Sequence, residues 1–116
     1  MRVLVTGGRL YDKRATLFRV LDRLHDRTPV SLLVVGDATG ADELACHWAQ
    51  ERGVPIAVHR AEWEEYGKAA GPIRNRQMLH ERNPDLVIAF SGGRGTQDCV
   101  RQAVAKGVNV VRIGWK

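Results

Sequence analysis

The sequence predicts an α/β fold, a single Rossmann-like three-layer domain over residues 1–116 with a mostly parallel five-stranded sheet. Three observations predict it. Five short runs are rich in valine, leucine and isoleucine, which is how strands buried on both faces of a parallel sheet read. The segments between them place apolar residues at helical spacing. Three strand exits carry glycine-rich turns, where a parallel strand hands over to a helix.

The strands are expected at Arg2 to Thr6, Ser31 to Val35, Pro55 to His59, Asp85 to Phe90 and Val108 to Ile113. The first helix follows Asp12, a suitable N-cap, and Leu17, Val20, Leu21 and Leu24 form one apolar face. The second starts between Thr39 and Asp42, repeats the spacing in Ala41, Leu44, Ala45 and Trp48, and ends at Gly53. Glu62 to Tyr66 reads as a short helical turn and Gly67 to Gly71 as a loop. Pro72 then suits the first turn of a helix that ends before Pro84. The last helix starts near Gly95 and Thr96, buries Val100, Ala103 and Val104, and stops at Gly107.

Right-handed crossovers between these elements give a sheet of order 3-2-1-4-5. The chain reverses direction between strands 1 and 4, and the crevice at their carboxyl ends is the expected ligand site. Thr6-Gly7-Gly8-Arg9 leaves strand 1 and Gly92-Gly93-Arg94-Gly95-Thr96 leaves strand 4. Both turns therefore face the switch point. Amides at a glycine turn and helix start can cradle a phosphate, so Gly92, Gly93, Gly95 and Thr96 are the leading phosphate-binding candidates. Thr96 can otherwise serve as a plain N-cap. The third turn, Gly36-Asp37-Ala38-Thr39-Gly40-Ala41-Asp42, offers small residues for close approach and Asp42 for a sugar hydroxyl or a base. Trp63 can stack on a base, while Arg74 and Asn75 can hold phosphate or sugar. Alternatively Trp63 and Tyr66 cover the sheet edge and Met78 fills the core.

The chain has 116 residues, a hydrophobic fraction of 44% and a charged fraction of 27%, as ordinary globular proteins do. No apolar run approaches the roughly 20 residues that span a bilayer. Met1 to Val5 reads as a strand and not as a signal peptide, so a cytoplasmic protein with no membrane partner is expected. Of 18 basic residues 14 are arginine, against 13 acidic ones, for a net charge of +5. Arginine suits phosphate, but the charges interleave and form no solid basic stripe, so a nucleic-acid groove is not required. Cys46 and Cys99 have no metal spacing, and His25, His47, His59 and His80 are scattered. Neither a structural metal nor an obligatory cofactor is expected, although Mg²⁺ could accompany a bound phosphate. GxGxxG is absent, which argues against an NAD dehydrogenase. Catalytic candidates are Asp98, Asp42 and Asp37. Cys99 in a first helical turn reads as a buried filler more readily than as a reactive thiolate.

At Val5-Thr6-Gly7-Gly8-Arg9, Gly40-Ala41-Asp42, Trp63 with Tyr66 to Asn75, and Gly92-Gly93-Arg94-Gly95-Thr96, the chain resembles the SLOG superfamily. That Rossmann-like group includes the Smf/DprA, YpsA-type and Lonely Guy proteins, and the chain looks closest to its small YspA-type members. The resemblance implies a nucleotide or nucleotide-derivative sensor or processor, with ADP-ribose or NAD metabolism as one setting. Lonely Guy enzymes carry Pro-Gly-Gly-x-Gly-Thr-x-x-Glu with a catalytic glutamate. Here Gly92, Gly93, Gly95 and Thr96 match, Ser91 replaces the proline, and Cys99 stands at the glutamate position. Asp98 falls one residue early, about 100° around a helix of roughly 3.6 residues per turn. The leading expectation is thus a nucleotide-binding protein. The alternatives are a phosphoribohydrolase that cleaves the N-glycosidic bond of a nucleoside monophosphate, and a single-stranded DNA-binding module, as on the Smf/DprA side of the superfamily. Three tryptophans in so small a chain also leave room for a homodimer that buries one of them.

Overall fold

The apolar runs become five parallel strands. In the computed structural model, which describes residues 1–115, these are β1 (Arg2–Thr6), β2 (Leu32–Gly36), β3 (Ile56–His59), β4 (Leu86–Phe90) and β5 (Asn109–Ile113). They form one all-parallel sheet of order β3-β2-β1-β4-β5. Val3 pairs with both Leu33 of β2 and Leu86 of β4, so β1 is the central strand. The helices are α1 (Arg14–Arg27), α2 (Ala41–Arg52), the single turn α3 (Trp63–Tyr66), α4 (Ala70–Arg82) and α5 (Arg94–Lys106), with a 3₁₀ turn at Gly67–Ala69.

Alternate strand residues feed two cores. On one face Val3, Val5, Leu33, Val35, Ile88 and Phe90 pack against Leu17 and Leu21 of α1 and Ala45, Trp48 and Ala49 of α2. On the other, Leu4, Val34 and Val87 meet Met78 and Leu79 of α4 and Cys99 and Ala103 of α5. Sheet and helices thus make the three expected layers. Trp48 is fully buried, and its indole N–H donates to Asp22 Oδ1 at 2.8 Å, where Arg52 also reaches. This satisfies the one polar atom of the largest core side chain. Among the described residues no helix is long and apolar enough to cross a membrane.

Four local expectations change. The residue before α1 is Lys13 and not Asp12, and no side chain caps the helix; Asp12 instead accepts from Arg14 N–H through its backbone carbonyl. The residue before α5 is Gly93, so Thr96 lies inside the first turn and cannot be its N-cap. The stretch from Gly67 to Gly71 is helical, because a 3₁₀ turn runs into α4 at Ala70 and Gly71 packs beneath the Trp63 ring. Val104 is 56% exposed, whereas Val100 and Ala103 are buried. Val104 follows Val100 by four residues, about 40° beyond a full turn of the helix, and faces solvent. Val100→Ala is therefore expected to cost about 2 kcal/mol in urea unfolding, from two buried carbons at roughly 0.8 kcal/mol each plus the space they leave. Val104→Ala should stay within about 0.5 kcal/mol.

Candidate functional site

Three loops converge at the carboxyl ends of β1, β2 and β4. The β1 loop is the hub. Gly8 N–H donates to the Ser91 carbonyl at 2.9 Å, and the Gly8 carbonyl accepts from Ala41 N–H at 3.1 Å and Tyr11 N–H at 3.2 Å. The Thr39 hydroxyl adds a bond to the Arg9 carbonyl at 3.0 Å. A cleft of about 1360 Å³ opens over this junction, above the roughly 300–1,000 Å³ of common small-ligand sites.

Of the residues that the sequence singles out, Thr6, Gly7, Gly8, Arg9, Ala38 and Asp42 line the cleft on the β1 and β2 side. Gly92, Gly93, Gly95 and Thr96 line it from β4 and α5, and Trp63, Arg74, Asp37 and Asp98 complete the wall. Gly36, Gly40, Ala41 and Asn75 are not part of that wall. Gly36 lies against the Arg74 guanidinium and Asp42 carboxylate, so any β-carbon there would collide with both. Gly40 and Ala41 join the β2 loop to the β1 loop. Asn75 is buried between α4 and α5. Its side-chain amide donates to the Gly95 carbonyl at 3.1 Å and to Asp98 Oδ2 at 3.0 Å, and its oxygen accepts from Arg74 Nε at 3.1 Å.

The two helix starts at the cleft differ. No side chain caps α2, but its first amide, Ala41 N–H, is already bonded to Gly8, and Asp42 Oδ2 accepts from Ala38 N–H at 3.2 Å. The first amide of that end is therefore taken up by the protein itself. No side chain caps α5 either, and its leading residues Gly93, Arg94, Gly95 and Thr96 all face the cleft. The first amides of a helix have no partner within it and carry the positive end of the dipole. This end of α5 is chemically suited to an anion.

A polar cluster that runs from the exposed Asp37 to the buried Asp42 forms the floor. Arg74 donates to Asp37 Oδ1 at 3.2 Å. Asp42 lies beside it, only 6% exposed, and burial pushes its carboxyl up to about 6 against the pull of Arg74 and the Ala38 amide. Cys99 lies just below, fully buried, and desolvation pushes its thiol up to about 12. A thiol in that state is a packing residue and not a nucleophile. On the rim, Arg9 lies over the Trp63 ring at 5.8 Å from its centroid, within cation–π range, and Leu10 beside it is 93% exposed. Leu10, Lys13 and Arg101 also line the cleft without belonging to any glycine motif. Arg101 alone carries a sequence signal, since it follows Arg94 by seven residues and shares its helix face.

Comparisons agree with this architecture. A family model described as "YspA, cpYpsA-related SLOG family" matches residues 1–66. The Gene 61 protein of Mycobacterium phage D29 is 42% identical over 124 residues, an alignment that covers 99% of this chain and 98% of the phage protein. The X-ray structure of DNA processing protein A (DprA) from Streptococcus pneumoniae matches with a TM-score of 0.79 at 20% identity, over 99% of this chain and 50% of that one. The chain thus spans about half the length of DprA, and the likeness is one of fold. From the matched residues and the phage relative, the chain belongs to the YspA, cpYpsA-related SLOG family.

Proposed function

We propose that this protein binds a phosphorylated nucleotide or nucleotide derivative, ADP-ribose-related compounds included, at the β1/β4 switch point, as a sensor or processing protein. The observation that carries the reading is the contrast between the two helix starts. The first α2 amide is already bonded to Gly8 and acidic Asp42 and Glu43 follow it, whereas the α5 end opens uncapped onto the cleft behind Gly92 and Gly93. A phosphate there would meet several amides and the helix dipole, with Arg94 alongside. Trp63 and the exposed Leu10 supply an apolar rim suited to a base.

Gly95→Asp tests this. A β-carbon at Gly95 meets nothing within 4 Å, and the position lies in the first turn of α5. An aspartate there favours the helix dipole but repels a phosphate. The expected result is unchanged or higher thermal stability, with at least tenfold weaker binding of nucleoside 5′-monophosphates and ADP-ribose by calorimetry. Retained affinity would overturn the reading.

One observation favours processing over binding alone. Asp42 is a buried carboxyl on the cleft wall, pushed up to about 6, a range suited to proton transfer near neutrality. In a phosphoribohydrolase, water would add to the ribose C1′ as the C–N bond breaks, releasing the free base and ribose 5-phosphate. Incubating the purified protein with each nucleotide and assaying ribose 5-phosphate decides between the two readings.

A further inference from the structure

Asp98 is held in a way that helix packing alone does not require. Two side-chain amides, Asn75 Nδ2 at 3.0 Å and Gln102 Nε2 at 2.8 Å, donate to the same oxygen, Oδ2. Both amides are themselves anchored. Asn75 is 2% exposed and also bonds the Gly95 carbonyl, and Gln102 also bonds the Pro72 carbonyl at 3.0 Å. Among the described residues the other oxygen, Oδ1, has only a long ion pair with the exposed Arg101, at 3.8 Å. Such a pair contributes little in water. The residue lines the cleft. The result is a carboxylate fixed through one oxygen, with acceptor capacity left on the other.

A carboxylate accepts hydrogen bonds and repels phosphate, so it fits a neutral, donor-bearing part of a ligand. Asp98 comes about one turn after the α5 amides, a rise of roughly 5.4 Å. The 5′-phosphate and ring hydroxyls of a ribonucleotide are separated by a comparable span. Building on the nucleotide reading above, we propose that Asp98 recognises the ribose hydroxyls of the ligand. Asn75 and Gln102 are positioning residues that aim it, and the site thereby selects ribonucleotides over deoxyribonucleotides. A site built to bond a hydroxyl rejects the analogue that lacks it more strongly than an apolar pocket rejects a missing methylene.

The test is calorimetric binding of the four ribonucleoside 5′-monophosphates and their 2′-deoxy counterparts to the full chain. The expected result is at least a tenfold preference for the ribo form of whichever base binds best. That ratio should collapse below threefold in Asp98→Asn. Gln102→Met lies on the half-buried flank of α5, removes one clamp at similar volume, and should give an intermediate ratio. A purely structural strut would lower both affinities together and leave the ratio unmoved. Equal affinity of ribo and deoxy forms in the parent protein, or a ratio that Asp98→Asn leaves intact, would overturn this proposal while leaving phosphate binding in place. Failure of these nucleotides and of ADP-ribose to bind would overturn the nucleotide reading and this proposal with it.

Discussion

Gly40→Ala is expected to lower stability by about 3–5 kcal/mol, read as an earlier urea midpoint with an unchanged slope. Gly40 has φ +74° and ψ −124°, a combination that residues with a β-carbon rarely adopt. That strain costs about 1–3 kcal/mol. An added β-carbon would also collide with the Gly8 carbonyl and lie 2.5 Å from the Arg9 carbonyl, both of them backbone and neither free to rotate away. Overpacking of this kind typically adds about 1–3 kcal/mol. Gly53→Ala separates the two contributions. Gly53 has φ +69°, but a β-carbon there meets nothing within 4 Å, so it should lose only about 1–2 kcal/mol. Equal losses in the two variants would mean that the β1 and β2 loops are not locked together as described.

Asp42→Asn is expected to act in the opposite direction. The Asp42 carboxyl ionises near the ordinary 3.8 in the unfolded chain and at about 6 in the folded one, with burial the main cause. Between those values the folded state holds the extra proton, so stability falls as pH rises, and the full penalty applies above pH 6. A shift of about two units corresponds to a ceiling of about 3 kcal/mol. Asparagine carries no charge, and its oxygen can still accept from Ala38 N–H. The variant should therefore exceed the parent by about 2 kcal/mol at pH 8, with the gain shrinking to nothing near pH 4. Urea midpoints at pH 4, 6 and 8 measure it. A variant less stable than the parent at pH 8 would show that attraction to Arg74 outweighs burial. The predicted gain would make Asp42 a carboxylate kept at the expense of stability, as functional sites often are.

The sheet was readable because its strands are buried on both faces, which leaves uninterrupted apolar runs whose order follows from crossover handedness. The helix starts were less readable. Sequence rules look for a capping side chain, and neither α2 nor α5 uses one: the first α2 amide bonds the Gly8 carbonyl and α5 begins bare. Gly67 and Gly71 read as breakers, yet Gly71 is helical beneath the Trp63 ring. The cleft wall was largely legible through its glycines. Sequence does not reveal, however, whether a glycine makes room for a ligand or for a neighbouring loop. Gly95 has open space, while Gly36 and Gly40 are filled by the protein's own atoms. Asn75 shows the same ambiguity, since a buried amide between two helices looks on paper like a ligand contact. Leu10 and Lys13 reach the cleft only because the β1 loop folds back on itself, which no local pattern encodes.

The junction at Gly8 also bears on when the site can exist. Its bonds join the β1 loop to Ala41 and to Ser91, and β1 pairs with β4 from Val3–Leu86 to Thr6–Ala89. Closing that pair brings together segments far apart in the chain, a step of high contact order and correspondingly slow. As the chain emerges from the ribosome, β1 and β2 can pair early, but the cleft has no second wall until β4 inserts beside β1. Under the proposed function, a ligand would meet a complete pocket only after the central sheet has closed, and would stabilise that closed state the more, the higher its concentration.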